Sequence, residues 1–112
     1  MKKFIALYMI PLAAMDEMMK NMTPEQRKES MSGWQKWMDE HKAMFVDAGA
    51  PTGKNKRVSA AGAADVRNEV GGYSIVQAES QDEAAKMLAG SPHLQMPGAY
   101  IEVMECTPMG GM

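Results

Sequence analysis

Residues 73–106, YSIVQAESQDEAAKMLAGSPHLQMPGAYIEVMEC, carry the reading on which the fold turns. YSIVQA (73–78) is rich in β-branched and aromatic side chains and reads as a strand. Ser80 with Glu83 three residues later spells a capping box, which predicts a helix over 81–89 that stops at Gly90. SPHLQMPG is a connector bracketed by two prolines, and AYIEVMEC (99–106) reads as a further strand. Strand, short helix and strand in this order form one half of a split β-α-β sandwich, so the other half should lie upstream.

It does, with a weaker signal. KFIALYMI (3–10) ends at Pro11 as a strand bounded by a turn should. Met15, Met18, Met19 and Met22 then recur as one face of a short helix. Thr23, Pro24 and Gln26 open a second, long helix with a capping box and a proline at its first position. Along it Met31, Trp34, Met38, His41, Phe45 and Ala48 step by three and four, which predicts a helix reaching Gly49. The stretch from Ala50 to about Ala61, with Lys54, Lys56, Arg57 and Val58, gives a faint edge-strand signal, and residues 61–72 read as the loop that joins it to YSIVQA. The order β, long α, β, β, short α, β predicts an α+β, ferredoxin-like βαββαβ fold: a four-stranded antiparallel sheet with two helices on one face. One domain over 1–112 is expected, with a helical Met-rich insertion at about 12–22 and a flexible tail at about 107–112.

Alternation divides the strands into two faces. Ile5, Leu7, Met9, Ser74, Val76, Ala78, Ile101 and Val103 suit the helix-covered side. Phe4, Ala6, Tyr8, Tyr73, Ile75, Gln77, Tyr100, Glu102 and Met104 form the other side, which is too apolar to stay wet. Burying six such large side chains is worth ~10 kcal/mol gross, so a second copy of the chain is the expected cover.

Composition narrows the functional classes. Twelve basic against fourteen acidic residues lack the excess that nucleic-acid binding requires, and no apolar stretch approaches the ~20 residues that span a bilayer. Cys106 is the only cysteine, which excludes an intrachain disulfide and suits a reducing compartment. MKKFIALYMIPLAAM imitates a secretory signal, but Pro11 interrupts its apolar run and cleavage after Ala14 would remove the first strand. A cytoplasmic protein is expected, without nucleic-acid or membrane partners.

The stretch from Gly71 to Cys106, GGYSIVQAESQDEAAKMLAGSPHLQMPGAYIEVMEC, resembles the second half of YCII-related proteins, the group that includes the DGPF-motif proteins. The first half resembles them more loosely, through a leading strand and a long helix ending in DAGAP. The resemblance implies a dimeric α/β barrel in which two four-stranded sheets pack face to face around a small-molecule site. Two departures stand out. The DGPF motif is absent, with ADVRNE (64–69) in its hairpin. The family's acid/base His and Asp would fall near Ser32 and in the triplet Ser91-Pro92-His93, so neither is retained in type.

His93 is the nearby replacement, since imidazole titrates near neutral pH; its other role would be to hydrogen-bond its own Pro-bracketed turn. Glu102, on the mostly apolar face with Tyr8, Tyr73, Gln77 and Tyr100, is the second catalytic candidate, or else a solvated carboxylate at a dimer edge. Tyr8, Tyr73, Gln77, Tyr100 and Ser91 are the expected ligand-binding residues. His41 reads as a core-edge histidine and Asp47 as a solvated charge. The methionine string could hold copper(I), but flexible apolar residues at helical spacing more often form an adaptable lid, and no metal or cofactor is implied. The leading expectation is a homodimer that binds an unidentified small molecule between its sheets, with acid/base catalysis by His93. The rival is a noncatalytic accessory protein that has lost the family's His and Asp. Antiparallel pairing of the first and last strands should also bring His93 to a cavity walled by those strands and covered by residues 15–22.

Overall fold

The structure, a computed structural model, describes residues 1–108; of the tail expected to be flexible at 107–112, residues 109–112 lie outside the described residues. Strand β1 (Lys2–Met9) stops at Pro11, helix α1 (Leu12–Asn21) carries the methionine string, and helix α2 (Pro24–Glu40) follows. Both halves of the α2 capping box are made: Thr23 Oγ1 accepts from the Gln26 amide at 3.1 Å, and Gln26 Oε1 accepts from the Thr23 amide at 2.9 Å.

The helix ends at Glu40, more than two turns before the expected Gly49. His41 caps it, with its ring Nδ1–H donating to the Trp37 carbonyl at 2.9 Å. A 3₁₀ turn (Lys42–Met44) then leads into strand β2 (Phe45–Pro51), so the sheet's second strand lies here and takes only Ala50 and Pro51 of the expected stretch from Ala50 to about Ala61. Phe45 misled because an aromatic four residues after His41 satisfies helical spacing and strand propensity alike. Its ring packs edge-on against Trp37, with centroids 5.4 Å apart, from a strand and not from the next helical turn.

Residues 54–58 instead enter a separate ribbon of β3 (Asn55–Ser59) and β4 (Gly62–Val66), stitched by the Lys56–Asp65 ion pair at 2.6 Å. The expected loop at 61–72 therefore contains β4 and the start of β5 (Val70–Ala78); its glycines and alanines carry too little alternation to announce strands. Helix α3 (Gln81–Leu88), a 3₁₀ turn (Pro92–Gln95) and β6 (Tyr100–Glu105) complete the chain close to expectation.

The main sheet runs β2-β5-β1-β6, antiparallel throughout, which is the ferredoxin-like order and bears out the α+β class. Phe4 lies opposite Val76 and Ala6 opposite Ser74 and Val103, so the helix-covered face takes Phe4, Ala6 and Tyr8 from β1. This corrects the expected phase of β1, whereas β5 and β6 keep theirs. Both alternating sets of β1 are apolar, so nothing in the strand itself fixes which set turns inward; pairing register decides it. Phe4, Val76, Ala78 and Ala84 form one end of the core, and Ala6, Tyr8, Trp37 and Leu88 the other. The opposite face carries Ile5, Leu7, Met9, Tyr73 and Ile75, half-buried within the sheet and covered by no helix, with Tyr100 and Met104 exposed beside them. Among the described residues no helix is long and apolar enough to cross a membrane.

Candidate functional site

Between α1, α2 and the sheet lies a cavity of about 600 Å³. One wall is thioether and indole: Met15, Met18 and Met19 from α1, Met31, Trp34 and Met38 from α2, and Met96 after the 3₁₀ turn. The opposite wall is backbone from β2 and β5, around Ala48–Thr52 and Gly71–Ser74. Its size suits one small organic molecule. Among the described residues that line it there is no Asp, Glu, Lys or Arg.

A bulge in β2 shapes the backbone wall. Asp47 pairs with Ile75 and Ala50 with Tyr73, which leaves Ala48 and Gly49 outside the ladder. Gly49 takes φ +75°, and a β-carbon there would sit 1.7 Å from the Tyr73 carbonyl oxygen, so the bulge requires glycine. Asp47, expected to be a plain solvated charge on a helix, holds the turn by accepting the Gly49 amide at 2.8 Å. The displaced Ala48 carbonyl accepts the hydroxyl of Ser74 at 2.8 Å. Ser74 Oγ in turn accepts the phenol of Tyr8 at 2.9 Å. Burial pushes the Tyr8 phenol up from its ordinary value, and the bond to Ser74 offsets part of that rise.

His93 closes the same end. It is 4% exposed, its ring stands edge-on to Tyr8 at 5.5 Å, and Tyr8 stands edge-on to Trp34 at 4.9 Å. Its Nε2 lies 2.7 Å from the Met9 carbonyl oxygen, and a carbonyl only accepts, so Nε2 carries the proton. Nδ1 of the neutral ring is then a lone pair with no hydrogen bond to any described residue. The ring therefore bonds the backbone of β1 and not that of its own Pro-bracketed turn.

The other candidates scatter. Ser91 is buried but spends its hydroxyl accepting the His93 amide at 3.3 Å, at the start of the 3₁₀ turn. Tyr73, Gln77, Tyr100 and Glu102 project on the opposite face of the sheet, so Glu102 and His93 do not meet. Gln77 donates to the Ala43 carbonyl at 2.9 Å, and the Tyr100 hydroxyl donates to Glu69, which raises the phenol above its ordinary value. Ser32 is exposed on the outer side of α2. His93 and the three α1 methionines, though not Met22 just beyond the helix, do line one cavity; its far wall comes from β2 and β5, not from the last strand as expected. Ser74, Trp34 and the β2 bulge were missed as site residues, although the Asp-Ala-Gly of the bulge is a turn signal visible in the sequence. Among the described residues no cluster of three His, Cys, Asp or Glu could hold a metal ion.

Comparison with known proteins defines the fold class. No protein-family model matches the chain, and no curated protein sequence matches it. Among solved structures it is similar to 5-chloro-2-hydroxyhydroquinone dehydrochlorinase from Burkholderia phenoliruptrix, in complex with 2,5-dihydroxybenzoquinone. The match covers 99% of this chain and 98% of that one, at 16% identity and a TM-score of 0.57. At that identity the likeness shows the fold alone, an α+β unit with a four-stranded antiparallel sheet.

Proposed function

We propose that this chain is a YCII-related, cytoplasmic protein that works as a homodimer and binds a small, neutral aromatic molecule between its helices and its sheet, with His93 as the acid/base group. The observation that carries this reading is the uncharged cavity closed by a histidine with one nitrogen tied and the other free. Methionine and tryptophan walls favour a flat, polarisable ring over an aliphatic or ionic ligand. The ligand of the dehydrochlorinase, 2,5-dihydroxybenzoquinone, is of this size and kind. The cavity lies on the helix side of the sheet, which supports binding within each chain over binding between the two sheets of a dimer.

The chemistry available is a proton transfer. The lone pair of Nδ1 can take a proton from a ligand O–H, leaving the ligand anionic and the ring an imidazolium whose Nε2–H stays on the Met9 carbonyl. Dimerisation is supported by the apolar face that no helix covers.

A thermal-shift panel of neutral one- and two-ring aromatics tests the binding. At least one compound should raise Tm in proportion to the logarithm of its concentration over Kd. The rise should vanish in Met18→Trp, which fills the cavity from the lid without touching the core. A Tm that no compound moves, or moves equally in both proteins, contradicts the reading.

A further inference from the structure

We infer that the cavity selects its ligand by requiring a hydrogen-bond donor: it takes neutral phenols and discriminates against ethers and hydroxyl-free quinones of the same outline. This rests on the cavity being a ligand site, and it concerns what that site demands.

The Ala48 carbonyl can only accept, so Ser74 must donate to it; Ser74 has one proton, so its oxygen must accept from Tyr8. The Tyr8 hydroxyl proton is therefore committed, and what its oxygen has left is a lone pair. The Met9 carbonyl likewise commits the proton of His93 Nε2, and in the neutral imidazole this leaves a lone pair on Nδ1. Thr52 spends its proton on the Val70 carbonyl at 3.2 Å, and the Gln35 amide donates to Asp39 at 3.0 Å, pointing its bond outward along α2. Tyr73, whose backbone lines the cavity, turns its side chain to the other face. Among the described lining side chains, the indole N–H of Trp34 and the second amide hydrogen of Gln35 are the donors left without a partner, while the two polar groups packed against one another at the closed end, Tyr8 and His93, both present acceptors.

A ligand oxygen that brings no proton would meet two lone pairs there and strip them of water without replacing it. A phenol brings the proton. A phenolate loses it, and no lysine or arginine among the described lining residues balances its charge, so the protonated form is the one selected.

Isothermal titration with 2-naphthol and 2-methoxynaphthalene at pH 7, where the naphthol is protonated, tests this on the wild-type chain and on Tyr8→Phe, His93→Leu and His93→Gln. The naphthol should bind about tenfold or more tighter than its methyl ether. That ratio should fall toward one in Tyr8→Phe and His93→Leu, and persist in His93→Gln, whose amide offers an N–H to Met9 and an oxygen to the ligand. Equal affinity of the two probes for the wild type overturns the donor rule while leaving the cavity reading intact. No binding of either overturns both. A preference unchanged in Tyr8→Phe and His93→Leu also overturns the rule, since the donor would then be read elsewhere. Should His93→Leu fail to fold, Tyr8→Phe, which keeps the ring and its packing, decides alone.

Discussion

Tyr8 and Gly49 show how single residues set this site. Tyr8 packs its ring in the core and sends its hydroxyl to Ser74, so its burial favours the neutral phenol. Because the folded pKa is raised above the unfolded value near 10, the phenol's contribution is full below pH 10 and is lost as pH rises past it. Denaturation between pH 8 and 11 should therefore show an alkaline loss of stability that is smaller in Tyr8→Phe; an identical loss in both proteins would assign it to other groups. Gly49→Ala should cost more than ~1 kcal/mol, because alanine there is strained at positive φ and meets the Tyr73 backbone. Urea unfolding measures it, and an unchanged midpoint would mean that β2 can shed its bulge. At this scale the sequence was legible in part. His93 stood out by its connector, whereas Ser74 is an ordinary strand serine until a bulge 26 residues away frees a carbonyl for it.

Capping chemistry made the helix starts readable, since each box is a local code that the backbone obeys without tertiary help. Thr23→Ala should destabilise by ~1 kcal/mol on thermal unfolding, and a smaller change than ~0.3 kcal/mol would mean that the box is solvated in solution. The end of α2 was not readable, because His41 and Phe45 continue its period and only packing against Trp37 tells helix from strand. Helix α1 is held to the body largely from outside: none of its residues is fully buried, and Asp16 pairs with Arg67 at 2.8 Å. The Arg67 guanidinium draws the Asp16 carboxyl below its ordinary value of 3.8. That pairing is complete above the ordinary value and is lost as pH falls through the depressed one. Amide exchange in α1, compared with β5, should accelerate in Asp16→Asn and, in the wild type, only under acid; equal rates in the two proteins at pH 7 would deny the latch a role.

Across the whole molecule, element order and alternation gave the ferredoxin-like sheet, because helix starts and strand propensities survive in one chain. The phase of β1 and the place of the cavity did not, because both depend on how strands pair. The uncovered face of Ile5, Leu7, Met9, Tyr73 and Ile75 is where a second copy should dock. Ile75→Asp should then convert a particle of about twice 12.3 kDa into monomer by light scattering, since it places an unpaired charge in a dry interface. A wild-type monomer at micromolar concentration would contradict the dimer. The claim on which the rest depends is that ligand enters between helices and sheet, and the protein carries its own reporters. With methyl-labelled methionine, titration of 2-naphthol followed by NMR should shift Met15, Met18, Met19, Met31, Met38 and Met96, the six that line the cavity, and leave Met9 and Met104 on the open face in place. Shifts confined to Met9 and Met104 would put the ligand between subunits and contradict the account.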